Sequence, residues 1–144
     1  MIYTHKVAVT AYIVKNKKYL LLKRNTKPYI WAPPGGRLIK DEDPNKGLIR
    51  EIKEETNLDV EIVAPVDIWF GSWRGKPLLS IDYLVKIRAG EIKLSEEHSE
   101  YRWVSIKELE RGDLIQLDPQ LGFQLEDFKK AERLIDLLSE WNLC

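Results

Sequence analysis

Two runs of sequence separated by seven residues decide the fold: Gly36-Arg37-Leu38-Ile39-Lys40-Asp41-Glu42 and Arg50-Glu51-Ile52-Lys53-Glu54-Glu55-Thr56-Asn57-Leu58. The second run predicts a helix from about Pro44 to Thr56. Asp43 has the side chain of an N-cap, and Pro44 suits the first helical position, where no backbone N–H is needed. Asn57 suits a left-handed stop. The apolar stripe of this helix is expected at Leu48, Ile49 and Ile52.

The same helix carries three acids on one face. Glu51, Glu54 and Glu55 fall within an arc of about 100°. Glu51 has Glu55 at i+4 instead of a base, and Arg50 is the base placed to relieve Glu54. Such a face becomes favourable if a hard cation neutralises it, and Mg²⁺ prefers oxygen ligands. A solvated acidic face without function is the alternative interpretation of this spacing alone.

Strands are expected before the helix. The β-branched and apolar residues from Val7 to Val14 and from Tyr19 to Arg24 predict a hairpin. The proline-rich segment 25–34 predicts a loop with a short extended piece at Ile30-Trp31. Gly35-Gly36 is expected to open a turn into a short strand from Arg37 to Ile39.

After the helix, two long strands are expected at Val60–Trp73 and Leu78–Ile87, and a short one at Tyr101–Val104. Ser105 and Glu108 have the spacing of a capping box for a short helix. A last helix is expected from Leu125 to Trp141, with one apolar face that includes Phe128, Ala131, Leu134, Ile135, Leu138 and Trp141. No repeat or linker interrupts this order, so residues 1–144 are expected to form a single α/β domain.

Composition narrows the class of protein. The 144 residues include 23 basic and 23 acidic side chains, so no overall basic field favours nucleic acid polymers or anionic membranes. One cysteine, Cys144, cannot form an internal disulfide, which fits a reducing compartment, and we expect no role for this tail residue. Residues 1–6 lack the features of a signal peptide, and no apolar run approaches the roughly 20 residues of a membrane span. We therefore expect a soluble, cytoplasmic protein.

Eight residues of the two opening runs together resemble the Nudix box, namely Gly36, Glu42, Arg50, Glu51, Ile52, Glu54, Glu55 and Leu58. The box consists of Gly, five residues, Glu, seven residues, and then Arg-Glu-aliphatic-x-Glu-Glu-x-Gly-aliphatic. The resemblance implies an α/β/α sandwich with a central mixed β-sheet, with the box at residues 36–58. The chain departs from the pattern at Asn57, where Gly is usual, and Asn tolerates the left-handed conformation next best.

The resemblance also implies roles for these residues. Glu51, Glu54 and Glu55 would bind one to three Mg²⁺ ions, with the Gly36 carbonyl as a further ligand and Mn²⁺ as a possible substitute. Arg50 would pair with Glu42 or Glu54 to orient the carboxylates, and Glu42 would act as a brace instead of a ligand. The catalytic residues implied in the box are Glu51, Glu54 and Arg50.

Nudix hydrolases commonly draw one more acid from a distant loop, as general base or metal ligand. The stretch Ser95-Glu96-Glu97-His98-Ser99-Glu100 resembles that loop, with Glu97 as the first candidate and Glu96 as the second. A solvated turn is the alternative. His98 has the chemistry of a base at neutral pH, but a structural hydrogen-bonding role is favoured.

Substrate phosphates need cations, and Arg24 and Arg37 are favoured over Lys23 and Lys27 because of their places beside the predicted site. Trp31 and Phe70 are candidates to stack on a nucleobase or ribose. The alternative is that the aromatics Tyr29, Trp31, Trp69, Phe70 and Trp73 fill a sheet core. Trp103 and Trp141 are predicted to be core residues.

The favoured function is magnesium-dependent hydrolysis of a nucleoside diphosphate derivative, by attack of water on one phosphorus of the diphosphate. A nucleoside triphosphate is the first candidate substrate, as in MutT-like pyrophosphohydrolases, and ADP-ribose or a dinucleoside polyphosphate is the alternative. A sensor that binds nucleotides without turnover, or an interaction module with an acidic helix, remains open. The expected partner is a small nucleotide, with no nucleic acid polymer and no membrane, and the chain is a possible homodimer.

Overall fold

Residues 4–140 are described by this computed structural model, and within them seven strands and three helices follow one another. Their bounds are β1 Lys6–Lys15, β2 Lys18–Arg24, β3 Trp31–Ala32, β4 Gly35–Arg37, α1 Pro44–Thr56, β5 Asp59–Trp73, β6 Lys76–Ala89, β7 His98–Val104, α2 Ile106–Arg111 and α3 Leu125–Glu140. The predictions for Cys144 and Trp141 fall outside the described residues. No helix in the described range is long and apolar enough to cross a membrane.

The strands form one mixed sheet in the order β3-β2-β1-β6-β5. β1 pairs in parallel with β6, from Lys6↔Leu78 to Ile13↔Val85. All other pairings are antiparallel, including β1 with β4 and β2 with β7. β1 is thus the centre of the sheet, and it brings β4 and α1 close to the strands that carry the rest of the site.

Each face of the sheet is covered by helices. Alternate residues of β1 point to opposite faces. Val9, Ala11 and Ile13 pack with Leu48 and Ile52 of α1 in one core cluster. On the other face, a second cluster combines Tyr12, Tyr19 and Leu21 of the sheet with Leu109 of α2 and Phe128 and Ala131 of α3. This arrangement confirms the predicted α/β/α sandwich, and Trp103 packs against the first cluster as predicted.

The ends of α1 are as predicted. The Asp43 side chain accepts a hydrogen bond from the Lys46 N–H at 3.2 Å, and Pro44 occupies the first turn. Asn57 has φ 68° and its N–H donates to the Lys53 carbonyl. Leu48 and Ile52 are fully buried, but the prediction that Ile49 belongs to the buried stripe is wrong, since it is 42% exposed. Each residue turns the helix by about 100°, which places Ile49 at the edge of the stripe formed by Leu48 and Ile52.

The glycine pair does not open a turn as predicted, because it forms the strand β4 itself. Gly35 pairs with Thr10 and Gly36 with Val9. A Cβ at Gly35 would lie 2.3 Å from the Val9 carbonyl oxygen, so the close approach of β4 to β1 needs glycine there. The regular pairing ends at Arg37 instead of Ile39, and β3 begins one residue later than its predicted extended piece.

Candidate active site

The acidic face of α1 lies directly against β4. A Cβ at Gly36 would lie 2.4 Å from Cδ and from Oε2 of Glu51, so the Glu51 carboxylate occupies the space that any other residue would fill. Position 36 of the predicted box therefore requires glycine, because the Glu51 carboxylate takes the place of a side chain there. This packing explains why these two residue types occur together across fifteen positions of sequence.

Arg50 holds the acids of the box in one network. Its Nε and Nη2 donate to the two oxygens of Glu42 at 2.8 and 2.9 Å, a bidentate pair. Its Nη1 donates to Glu51 at 3.1 Å and to Glu54 at 3.3 Å. Arg50 therefore pairs with both predicted partners, Glu42 and Glu54, and also with Glu51. Glu42 has the bracing geometry that was expected, and the hydrogen bonds from Arg50 hold its pKa below the usual range.

Glu55 is the most deeply buried acid of the site, at 3% exposure. Its Oε1 accepts a hydrogen bond from the Gly35 N–H at 3.1 Å, and its Oε2 lies 3.4 Å from Nε2 of His98. Burial, reinforced by the nearby charge of Glu51, raises the pKa of Glu55 to about 9. The single backbone hydrogen bond does not offset the loss of hydration. A carboxylate at this position needs a further positive charge.

Glu51 and Glu54 differ in their exposure to solvent. Burial raises the pKa of Glu51 even though Arg50 opposes that shift. The Glu54 side chain is 59% exposed and reaches outward from the same face. Solvent exposure thus increases from the buried Glu55 through Glu51 to the exposed Glu54. Arg50 contacts the latter two.

The loop before β7 is bound to the site through backbone hydrogen bonds. The Ser95 N–H donates to the Glu55 carbonyl at 3.2 Å, and the Asn25 N–H donates to the Glu97 carbonyl at 2.9 Å. The ligand atoms of Glu55, Glu97 and His98 lie within 4.8 Å of one another. The Glu96 carbonyl accepts from the Asn25 side chain. Of the two predicted loop acids, Glu97 is therefore the one that stands in a cluster with an acid of the box.

His98 is the residue that the sequence interpretation undervalued. It begins β7, three residues earlier than the strand predicted at Tyr101, and this extension brings its ring to Glu55. A histidine directly after an acidic pair was visible in the sequence. Its contact depends on the pairing of β7 with β2, which spacing along the chain does not reveal.

The acids have the chemistry of a site for a divalent cation. Glu51, Glu55 and Glu97 offer hard oxygen ligands, and the pKa values of Glu51 and Glu55 are raised because burial leaves them short of positive charge. A bound divalent ion would supply that charge. The predicted contribution of the Gly36 carbonyl and of the exposed Glu54 stays a prediction.

The two predicted arginines lie at the ends of different strands, Arg24 in β2 and Arg37 in β4. Arg24 ends β2 and stands opposite His98 in the ladder with β7, so the fold brings it to the acidic cluster. Its guanidinium lies 5.9 Å from the ring of Trp73. Arg37 ends β4 on the exposed side, and its carbonyl accepts a weak hydrogen bond from Arg50 at 3.4 Å.

The predicted stacking residues are not brought together. Trp31 is partly buried and packs against the core cluster on the α3 side, with Nζ of Lys23 6.0 Å from its ring. Phe70 is 63% exposed, lies 5.7 Å from the ring of His5, and lines a groove that contains none of the box acids. The alternative, that such aromatics fill the sheet core, is wrong for Phe70, for Trp69 at 44% exposure and for Tyr29 at 57%. Phe70 and Trp69 lie on β5, the edge strand of the sheet.

Comparison with known proteins gives a family match over most of the chain. Residues 4–124 match the model of the NUDIX domain. The chain is 32% identical over 134 residues to an ADP-ribose pyrophosphatase of Methanocaldococcus jannaschii, covering 90% of this chain and 74% of that protein. It is 30% identical over 96 residues to an asymmetrical bis(5'-nucleosyl)-tetraphosphatase of Caenorhabditis elegans, covering 63% of this chain and 70% of that protein.

Solved structures share the architecture. The crystal structure of a MutT protein from Methanosarcina mazei Go1 superimposes with a TM-score of 0.77 at 26% identity, covering 94% of this chain and 98% of that one. The match includes the strands and helices that hold the acidic cluster, since it spans nearly the whole of both chains.

Proposed function

The chain belongs to the Nudix family and is a Nudix hydrolase, and from that premise we propose that it is a Mg²⁺-dependent pyrophosphohydrolase of nucleoside diphosphate derivatives, with a nucleoside triphosphate as its substrate. The similarity to a MutT protein along almost the full length of both chains supports this substrate class. ADP-ribose is the second candidate, because the relative that covers 90% of this chain is an ADP-ribose pyrophosphatase.

One observation carries the proposal: three acids from two separate segments converge where positive charge is scarce. Glu51 and Glu55 come from α1, Glu97 comes from the loop before β7, and Glu55 is buried with its pKa raised to about 9. Arg50 is committed to Glu42 by a bidentate pair and compensates the cluster only in part. An acidic helix without function would turn its carboxylates to solvent. In α1, by contrast, the carboxylates of Glu51 and Glu55 point into the protein.

The acidic residues of the cluster are suitable ligands for divalent cations. Glu51, Glu54, Glu55 and Glu97 would hold them together with the Gly36 carbonyl, and an oxygen-only set suits Mg²⁺, with Mn²⁺ as a substitute. Bound there, the cations would offset the negative charge that develops on the phosphate oxygens. Arg50 would keep Glu51 and Glu54 oriented, and its hydrogen bonds to both carboxylates support that role.

The remaining chemistry belongs to side chains around the cluster. Glu97 would accept a proton from the water that attacks phosphorus, because its carboxylate lies within reach of the same cluster. Arg24 and Arg37 would hold the phosphates that are not attacked. The oxygen of water bonds to phosphorus as the bridging P–O bond breaks, which leaves a nucleoside monophosphate and pyrophosphate. Positioning and electrostatic stabilisation would provide most of the acceleration.

A substrate panel tests the proposal. Nucleoside triphosphates, ADP-ribose and a dinucleoside tetraphosphate are incubated with the protein, with and without Mg²⁺, and the products are separated. We expect Mg²⁺-dependent release of pyrophosphate and a nucleoside monophosphate from a triphosphate. Preferred cleavage of ADP-ribose would replace the first substrate by the second candidate. Tight nucleotide binding without any turnover would show a sensor instead of an enzyme, and binding of basic proteins alone would show an interaction module.

A further inference from the structure

The tip of the β5–β6 hairpin carries an arginine where the backbone favours another residue. Trp73 pairs with Lys76, and the two residues of the turn between them, Arg74 and Gly75, have φ of 54° and 77°. A two-residue turn with this backbone suits asparagine followed by glycine. A long side chain is uncommon at a positive φ, because its Cβ strains the backbone. The strain at position 74 therefore directs attention to what the guanidinium contacts.

The side chain of Arg74 folds back toward the segment that follows β2. Its Nη2 donates a long hydrogen bond of 3.5 Å to the Lys27 carbonyl, and its Cζ lies 5.8 Å from the centre of the Trp73 ring. Cζ of Arg24 lies 5.9 Å from the same ring. Two guanidiniums, one from β2 and one from the hairpin turn, are thus within the roughly 6 Å of a cation–π contact with Trp73.

Residues 24–27 lie between this hairpin tip and the acidic cluster. The Asn25 N–H donates to the Glu97 carbonyl at 2.9 Å, and the Asn25 side chain donates to the Glu96 carbonyl at 3.0 Å. One short segment therefore contacts the loop that carries Glu97 and also contacts the hairpin tip. The indole ring and its two arginines are consequently held beside the proposed metal site.

The cations at this point are not committed to carboxylates. Arg24, Lys27 and Arg74 form no ion pair within the part of the chain that the structure describes. Arg24 donates to the Thr26 hydroxyl at 3.2 Å, and its Nε has no acceptor among the described residues. A guanidinium carries five N–H donors and matches the oxygens of a phosphate. These cations can therefore bind phosphate without breaking an ion pair.

The Trp73 ring is open to a ligand in part. It is half-buried, and the residues around it in the turn, Ser72, Arg74 and Gly75, are exposed. An indole stacks on the face of any nucleobase, and such a contact commonly contributes about tenfold or more in affinity. A nucleotide joins an aromatic base to phosphates through one sugar. An indole ring beside two guanidiniums matches both of those parts.

We propose that the tip of the β5–β6 hairpin binds the nucleoside end of the substrate, with Trp73 stacked on the base and Arg74, together with Arg24, on the phosphates beside it. Recognition through the face of the base instead of its edge makes the site tolerant of different bases. The inference rests on the proposed function, because that function makes a nucleotide the ligand and places its diphosphate at the acidic cluster.

A purely structural role is the competing explanation. In that case the two cation–π contacts only attach the hairpin tip to residues 24–27, and loss of the ring would weaken every phosphate ligand alike because it would displace Arg24. A stacking role affects only ligands that carry a base. AMP and ribose 5-phosphate share the sugar and the phosphate and differ in the base. Neither contains a diphosphate, so both can be titrated without turnover.

Isothermal titration calorimetry in Mg²⁺ gives the Kd of both probes. We expect the wild type to bind AMP about tenfold more tightly than ribose 5-phosphate. Trp73→Leu keeps an apolar side chain without an aromatic face and should abolish that preference, whereas Trp73→Phe should keep the Kd for AMP within about threefold. Arg74→Gln should weaken both probes by about fivefold and leave their ratio unchanged. Trp69→Leu and Arg88→Gln, at exposed positions of β5 and β6, are the matched controls and should bind as the wild type does.

Tryptophan fluorescence is a second readout. AMP should quench the emission of the wild type, and it should not quench Trp73→Phe although that variant still binds AMP. This comparison decides the matter if thermal unfolding shows that Trp73→Leu does not fold. The inference is overturned by equal Kd values for the two probes in the wild type, by an AMP preference that survives in Trp73→Leu, or by equal losses for both probes in that variant. Quenching that persists in Trp73→Phe, or unchanged binding in Arg74→Gln, would overturn it as well.

These outcomes separate the inference from the proposed function. If the AMP series is as expected but no nucleotide is hydrolysed, the nucleoside site stands and the proposed function fails. If nucleotides are hydrolysed but Trp73→Leu keeps the AMP preference, only the inference fails.

Discussion

Gly36 and Glu51 are in contact so close that the side chain of one depends on the absence of a side chain in the other. A Cβ at position 36 would overlap the Glu51 carboxylate, which is flanked by Arg50 and cannot move freely. The residue types at these two positions are therefore a single structural unit, although α1 and β4 are separate elements.

Gly36→Ala should displace Glu51 and weaken the binding of the cation. We expect the Mg²⁺ concentration for half-maximal activity to rise by about tenfold or more, with circular dichroism unchanged. Gly75→Ala is the control for a loss of stability away from the site: its Cβ meets nothing within 4 Å, but the φ of 77° strains an alanine there, and we expect its Mg²⁺ requirement to stay as in the wild type. An unchanged Mg²⁺ requirement in Gly36→Ala would mean that Glu51 does not bind the metal.

Arg50 is a residue for which lysine is not an equivalent. Its guanidinium contacts Glu42, Glu51 and Glu54 at once, and a single ammonium cannot reproduce the bidentate pair. We expect Arg50→Lys to lower kcat by about 10- to 100-fold. Arg111→Lys, at an exposed arginine beside Asp113, should leave kcat as in the wild type. Equal activity of the two variants would argue against an orienting role for Arg50.

At the scale of elements, the end of α1 sets where β5 begins. Asn57 has a left-handed backbone, and its side chain donates to the Glu91 carbonyl at 3.2 Å. We expect Asn57→Ala to lower the free energy of unfolding by about 1–2 kcal/mol, since it keeps the strained backbone and loses that hydrogen bond. Asn57→Gly should cost less because glycine removes the strain. Urea unfolding of the three proteins measures this, and a larger loss for Gly would contradict it.

Elements with strong local signals were predictable from sequence. The β1–β2 hairpin, the helix α1 with its caps at Asp43 and Asn57, and the capping box of α2 all follow from residue types at fixed spacing. β4 was misplaced because two glycines locally favour a turn, and only close packing against Val9 makes them a strand. The strand conformation of β4 is therefore determined by its tertiary contact with β1 and not by local sequence preference.

In the candidate site, too, the features set by local spacing could be predicted from sequence and those set by tertiary contacts could not. The common face of Glu51, Glu54 and Glu55 and the place of Arg50 beside Glu54 could be predicted because these residues share one helix, whereas the pairing of Arg50 with Glu42 was expected from the resemblance to the Nudix box. The contacts of His98 and Glu97 with Glu55 depend on the β2–β7 pairing, and the exposure of Phe70 depends on its place on an edge strand. Neither pairing nor edge position is encoded by spacing along the chain.

At the scale of the whole molecule, the raised pKa of Glu55 couples stability to pH. Its folded value of about 9 lies above the unfolded value near 4.3, so the folded state holds the proton more tightly. The resulting stability is complete below the unfolded pKa and is lost as the pH rises toward about 9. Burial of Glu51 acts in the same direction.

The melting temperature of the metal-free protein should therefore fall between about pH 7 and about pH 9. Mg²⁺ should raise it more at the higher pH, because metal and proton compete for the same carboxylate. Glu55→Gln should reduce both effects. Differential scanning calorimetry measures them, and an Mg²⁺ stabilisation that is larger at pH 7 would contradict the assignment of Glu55.

The central claim is that the convergent glutamates make this molecule a metal-dependent pyrophosphohydrolase. The most direct test is the turnover of its best nucleotide at saturating Mg²⁺ by the wild type and by Glu54→Gln, Glu55→Gln and the exposed-acid control Glu110→Gln. We predict Mg²⁺-dependent turnover in the wild type and the control, and a loss on the order of a thousandfold in Glu54→Gln and Glu55→Gln with the fold intact. Turnover that survives both changes, or that needs no divalent metal, would contradict the claim.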